Sequence, residues 1–188
     1  MKEFEEKLKE YIIENNIDAE QYIYENTCHT VQEAASAANA SPKDIVKSIC
    51  LIDNDGNLIV AIVKGEDRVS TSRVAKALNI ELPKTATPEE ILDKTGYICG
   101  GVPSFGYEAI FLIDPKVIEN ELVYTGGGSP YSLTKISTKV LQQINKCQIV
   151  RVRKWLRGIN SNLHICIYSL YRYLSYSHSP LFMHIFEF

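Results

Sequence analysis

Six consecutive apolar residues, Leu58-Ile59-Val60-Ala61-Ile62-Val63, constrain this chain more than any other stretch. They follow Asp53-Asn54-Asp55-Gly56-Asn57, a strong hairpin signal, which in turn follows a strand pattern over Val46 to Ile52. A strand apolar at every position has no side to turn to water, so Leu58 to Lys64 is expected at the centre of a sheet covered on both faces. A chain of 188 residues that is 45% hydrophobic can supply one core of that kind.

Helices are expected around it. Phe4, Leu8, Tyr11 and Ile12 share one face of a helix from about Lys2 to Asn15. Thr30 and Glu33 form a capping box opening the helix Val31 to Ala38, and Ser41-Pro42 opens a shorter helical turn. Ser70, Thr87 and Ser137 cap helices over Thr71 to Leu78, up to Gly96, and up to Asn145. Short strands are expected at Tyr22 to Tyr24, Ala109 to Ile113, Leu122 to Tyr124 and Gln148 to Val152. Hairpins mixed with scattered helices point to an α/β domain over residues 1–154 with a mixed, curled sheet, without a regular doubly wound order. From Trp155 to Phe188 the composition changes, with many aromatics, one acid and neither period. Residues 155–188 read as a frame-shifted or artefactual end, with a genuine appendage as the alternative.

Five scattered cysteines without a C-x-x-C argue against a disulfide framework and fit a reducing compartment, hence a cytoplasmic location. Met1 to Glu10 is charged, unlike a secretory signal, and no apolar run is long enough for a membrane span. A net charge of −3 excludes a generally basic nucleic-acid coat but leaves room for a local patch. His164, His178 and His184 are spaced unlike zinc ligands, so no metal and no cofactor is expected.

Two glycine-rich loops carry the chemical interest. Gly96 to Gly106 holds four glycines and a proline, a composition that can aim bare backbone N–H groups at a ligand or simply bulge a strand. Within it, Cys99 reads as a small buried strand residue. Gly126-Gly127-Gly128 matches neither a phosphate loop nor a dinucleotide fingerprint. Alternation puts Lys47 on the same face as Ile45 and Ile49, where a lysine either snorkels to water or holds an anion. His29 beside the helix cap reads as a local hydrogen-bonding residue.

His29-Thr30-Val31-Gln32-Glu33-Ala34-Ala35, Ile45-Val46-Lys47-Ser48-Ile49, Gly96 to Gly106 and Tyr124-Thr125-Gly126-Gly127-Gly128 occur in one order and spacing. Together they resemble the YbaK/prolyl-tRNA-synthetase-associated editing domain family, over about Tyr22 to Arg153. The resemblance implies a curled, barrel-like mixed sheet packed with several helices and a pocket at its mouth. It implies hydrolysis of mischarged aminoacyl-tRNA, with tRNAPro carrying alanine, serine or cysteine as the expected substrate. It places the functional lysine on Lys47 and the backbone-lined aminoacyl loop on Gly100 and Gly101. Substrate contacts are implied for His29, Thr30, Val102, Pro103, Ser104, Phe105, Gly106, Thr125, Gly126, Gly127 and Ser132. The chain departs from the family pattern in its Pro103-Ser104 order and in Ser132, which stands nearest the position of a family acid.

The expected partners are aminoacyl-tRNA and, as a candidate, prolyl-tRNA synthetase, with neither DNA nor membrane. Lys43, Lys64, Arg68, Arg73 and Lys76 flank the hairpin and its following helix and are the candidate tRNA contacts, an ordinary solvated face being the alternative. The second functional reading is a noncatalytic tRNA- or synthetase-binding module of the same fold.

Overall fold

The structure, a computed structural model, describes residues 1–154; the expectation for 155–188 lies outside the described residues. The elements in chain order are α1 (Lys2–Glu14), β1 (Ala19–Ile23), α2 (Val31–Ala37), a 3-10 turn (Pro42–Asp44), β2 (Val46–Ile52) and β3 (Leu58–Lys64). They continue with α3 (Thr71–Leu78), β4 (Lys84–Thr85), α4 (Pro88–Thr95), β5 (Ile110–Ile113), β6 (Leu122–Gly126), β7 (Ser132–Ser137), α5 (Thr138–Asn145) and β8 (Gln148–Ile149).

Local chemistry sets most of these boundaries. Thr30 Oγ1 accepts from Glu33 N–H and Glu33 Oε2 accepts from Thr30 N–H, each at 3.1 Å. Thr87 and Glu90 repeat this box at the head of α4, which stops at Gly96 with φ +69°. Ser137 Oγ accepts from Val140 N–H at the start of α5. Ser70 stands at the N-cap of α3 without capping it; its hydroxyl lies 2.9 Å from that of Ser72 instead.

β3 pairs antiparallel with β2 and parallel with β5, and all of its residues are buried. Its side chains alternate between two apolar clusters. Val60 and Ile62 join Leu8 of α1, Tyr97 and Phe105 on one face. Ile59, Ala61 and Val63 join Val74 of α3 and Leu112 on the other. Each such side chain, fully buried, contributes roughly 1.5–3 kcal/mol relative to exposure.

The strands form two sheets, in the orders β1-β7-β6 and β4-β2-β3-β5-β8. The expectation of one curled, barrel-like sheet is therefore corrected: among the described residues neither sheet curls or closes into a barrel. A single parallel bridge, Ile45 to Tyr124, links them. The outer edge of β2 is paired with β4 only at Leu51 and Ile52. Between that pairing and the bridge, glycine loops lie where a closing strand would run.

Candidate functional site

The open stretch of β2 is one wall of a cavity of about 180 Å³. Val46, Lys47, Ser48 and Cys50 line it from β2, Val31 and Ala34 from α2, Thr30 from the N-cap of α2, and Ile91 from α4. Cys99, Gly100 and Val102 come from the first glycine loop, and Gly126 and Leu133 from the second and the strand after it. Lys47 and Gly100 line this one small space, whereas Gly101, expected beside them, does not.

Lys47 is half-buried, and its Nζ donates to the carbonyl oxygen of Gly65 at 2.8 Å. Burial holds its pKa below the ordinary lysine value; the nearby Asp67 carboxylate opposes that fall and Arg68 adds to it. Lysine has three N–H donors, so two remain for a ligand.

The first loop is a tight turn. Gly101 N–H donates to Ile98 C=O at 3.0 Å, and Gly100, at φ +92°, occupies the position that a type II turn reserves for glycine. Cys99 is exposed on this turn, not buried in a strand. A Cβ added to Gly100 would stand 3.5 Å from His29 Nδ1, so the His29 ring lies beside the bare backbone of the turn. His29 also donates its own N–H to Glu33 Oε2 at 3.0 Å, as expected of a residue next to the cap.

Gly101 does not line the cavity. Its amide is engaged by Ile98, its carbonyl accepts from Gly128 N–H at 2.8 Å, and an added Cβ would meet Ser129 backbone at 2.5 Å. Its place is to let two loops touch. Gly126 has the same constraint and does face the cavity, with Val102 O 2.4 Å from where its Cβ would be.

Several implied substrate contacts lie behind the wall. Ser104 is fully buried; its hydroxyl lies 2.8 Å from that of Ser48 and 2.5 Å from that of Thr125, itself fully buried. Pro103 offers its carbonyl to Ser48 Oγ and Tyr107 OH. Phe105 is a core side chain beside Tyr11, and Gly106 packs near Tyr11 and Leu8. Gly127 is held by Ser132 C=O and Gln21. Ser132 is 1% exposed, and its hydroxyl contacts Ser129 at three atoms. His29, Thr30, Val102 and Gly126 stay on the cavity; Pro103, Ser104, Phe105, Gly106, Thr125, Gly127 and Ser132 shape it from outside.

The basic residues also divide. Lys64 is 3% exposed and donates to Lys43 C=O at 2.6 Å, so it is unavailable to a phosphate; burial lowers its pKa. Lys43, Arg68 and Lys76 are exposed and Arg73 is half-exposed. Arg68 is near enough to act electrostatically on Lys47.

Sequence reasoning missed Ser48, Cys50, Ile91 and Leu133 as wall residues. Cys50 C=O accepts from Ala86 N–H, so its backbone points outward from β3. Strand alternation then turns the N–H and C=O of Ser48 the same way, toward the cavity. Only the missing neighbour strand reveals this, and that is a tertiary fact. Among the described residues no helix is long and apolar enough to cross a membrane.

Comparison with known proteins adds to this geometry. The model of a family described as the aminoacyl-tRNA editing domain matches residues 25–144. The uncharacterized protein YwhH of Bacillus subtilis (strain 168) is 23% identical over 124 residues, which is 65% of this chain and 78% of that protein. The proline–tRNA ligase of Bacillus licheniformis is 28% identical over 88 residues, 47% of this chain but only 15% of the ligase. A crystal structure described as a candidate trans-editing enzyme for prolyl tRNA synthetase superposes with a TM-score of 0.75 at 23% identity, covering 80% of this chain and 97% of the other.

Proposed function

The chain belongs to the aminoacyl-tRNA editing domain family, and from that premise we propose that it is a trans-acting aminoacyl-tRNA deacylase with residues 1–154 as the editing unit. Its substrate on this reading is a mischarged tRNA, tRNAPro bearing alanine, serine or cysteine, met in the cytoplasm where aminoacylation occurs. Prolyl-tRNA synthetase is the corresponding partner. The observation that carries the reading is the shared cavity: the Lys47 ammonium, with two free donors, and the bare backbone at Gly100 border the same 180 Å³.

An aminoacyl ester is already activated, so its hydrolysis asks for a placed water and a stabilised oxyanion. The Gly100 amide is the preferred oxyanion donor, because the Gly101 amide is engaged by Ile98. Lys47 holds the carbonyl or the ribose–phosphate end by charge. Water adds to the ester carbonyl, the ester C–O bond breaks, and the terminal ribose hydroxyl regains a proton as the amino acid leaves. The second hydroxyl of that ribose helps activate the water. A cavity this small selects by exclusion: one methylene in a pocket is worth only about 1–3 kcal/mol to a synthetase, so a separate site that admits only small side chains removes its errors.

One observation favours the noncatalytic module. Ser132, nearest the position of the family acid, is buried and fully engaged with Ser129. Release of free amino acid from Ala-, Ser- and Cys-tRNAPro decides between them. Catalytic release of at least one supports the deacylase; tRNA binding without release supports the module.

A further inference from the structure

The polar groups of the cavity wall sort into donors and acceptors, and the proposed hydrolysis uses only the donors, Lys47 Nζ and the Gly100 amide. Acceptors gather on Ser48, the next residue of β2. Neighbours in a strand project to opposite faces, which keeps the Lys47 ammonium apart from the Ser48 hydroxyl. Among the described residues none of those lining the cavity is Asp or Glu. The Gly65 carbonyl is taken by Lys47, and Thr30 Oγ1 accepts from Glu33 N–H in the helix cap. A cation entering this space is therefore met by neutral oxygens, and Ser48 supplies two of them.

The first is the hydroxyl. Ser48 Oγ donates to Pro103 C=O at 3.2 Å and lies 2.8 Å from Ser104 Oγ. A hydroxyl has one proton and two lone pairs, so with the proton turned to the loop only acceptor capacity remains for a ligand. The loop is braced in that position: Tyr107 OH donates to the same Pro103 carbonyl at 2.8 Å, and Asn145 Nδ2 donates to Ser104 C=O at 2.6 Å. The second is the backbone carbonyl. β4 leaves the edge of β2 at Leu51, and the bridge to β6 lies at Ile45. Between them, the alternation that sends Cys50 C=O to Ala86 N–H sends Ser48 C=O to the same side, onto the cavity.

We propose that Ser48 binds the α-ammonium of the aminoacyl group through its C=O and Oγ, making the site selective for esters that carry a free α-amine. An aminoacyl ester has the polarity of this wall, with an ammonium donor and a carbonyl acceptor on adjacent carbons. With the ammonium on Ser48, the ester carbonyl is left to Lys47 and Gly100, which border the same 180 Å³. Charge-assisted hydrogen bonds of this kind are roughly twice as strong as neutral ones. Acylating the amine removes its charge and two of its three N–H donors, and adds bulk to a small cavity. Peptidyl- and N-formyl-aminoacyl-tRNA are spared on this account. The choice of an aminoacyl ester as ligand rests on the deacylase reading, but its binding is measurable without turnover.

The test uses the full chain and three probes in which a hydrolysis-resistant amide joins an acyl group to 3′-amino-3′-deoxyadenosine: alanyl, N-acetylalanyl and propionyl. By calorimetry the alanyl probe is expected to bind about tenfold more tightly, or better, than either of the others. Ser48→Ala keeps the backbone acceptor and loses the hydroxyl, so it should narrow that preference about threefold or more while leaving propionyl affinity in place. Release from Ala-tRNAPro should exceed release from N-acetyl-Ala-tRNAPro by about tenfold or more. Each rate is first divided by the spontaneous rate, because an α-ammonium activates its own ester. The two comparisons on the parent need no variant. Equal affinity for alanyl and propionyl probes, no binding of the alanyl probe, or an unchanged preference in folded Ser48→Ala overturns the proposal. If the parent prefers the alanyl probe but releases no amino acid, the deacylase reading fails and the ammonium site stands. If it hydrolyses both tRNA esters alike, the deacylase reading stands and the ammonium site falls.

Discussion

The ammonium of Lys47 donates to the carbonyl of Gly65 across 2.8 Å, joining the second residue of β2 to the residue just after β3. Val46 pairs with Lys64 at this end of the hairpin, so the contact fixes the amine at the point where the two strands part. The side chain is held without being neutralised by a bonded carboxylate, which leaves its charge directed at the cavity.

Replacing Lys47 by Ala is expected to lower kcat/KM for amino-acid release by about a hundredfold, the scale of losing one positioned charge-stabilising donor. The fold should survive, since the residue is only half-buried. Equal rates in parent and variant, measured with Ala-tRNAPro, would remove Lys47 from the mechanism.

The titration of Lys47 should betray its burial. Its folded pKa lies below the ordinary 10.5, so below the folded value both states are protonated and the cost of burying the charge is fully present. Between the folded value and 10.5 the native state sheds its proton while the unfolded chain keeps it, and this group's contribution to stability rises with pH. An Nζ resonance titrating at or above 10.5 contradicts this.

Gly101 and Gly100 should respond differently to Ala. At Gly101 the new Cβ meets Ser129 backbone at 2.5 Å, which cannot rotate away, and overpacking of that kind costs about 1–3 kcal/mol or more. At Gly100 the nearest atom is the His29 ring at 3.5 Å, and the cost is the positive φ, about 1–2 kcal/mol. Urea midpoints should therefore fall further for Gly101→Ala; the reverse order would mean the two loops do not touch as described.

Asp114 is fully buried and accepts from the N–H groups of Val152 and Arg153 at 3.0 Å each, while its other oxygen pairs with the Arg153 guanidinium. Asp114→Ala leaves these donors without their acceptor and is expected to cost about 3–5 kcal/mol in chemical denaturation. A loss under 1 kcal/mol would show that water replaces the carboxylate.

Arg68 and Lys64 separate surface charge from buried charge. Arg68→Ala should weaken tRNA binding and reduce its salt slope by about one. Lys64→Met should leave both unchanged, because that amine is committed to Lys43 C=O. Equal effects of the two on binding would require Lys64 to swing outward.

The hairpin and the helix starts were legible because their causes are local. Asp53 to Asn57 makes its own turn, with Asp53 Oδ1 accepting from Asp55 and Asn57 N–H groups. β7 was not legible: Ser132-Leu133-Thr134-Lys135-Ile136-Ser137 follows a glycine-proline loop and gains its strand form by lying between β1 and β6. The site shows the same division. Motif order brought Lys47, Gly100 and Gly126 to one cavity, but neighbours in sequence do not share an orientation. Val102 faces the cavity, whereas Ser104 and Phe105 on the same loop turn into the core. Cys99 was misread because its strand-like neighbours hid a turn closed by the Gly101 amide.

α1 precedes the matched segment 25–144, yet Leu8 is fully buried in the larger apolar cluster and Glu5 accepts from Ser129 Oγ. The carbonyl of Phe4 would lie 2.5 Å from a Cβ on Gly128. A fragment trimmed to the matched residues would therefore strip the outer support from the second glycine loop and uncover part of the core. The smallest piece able to hold this cavity in shape is longer than the segment by which its kinship is detected.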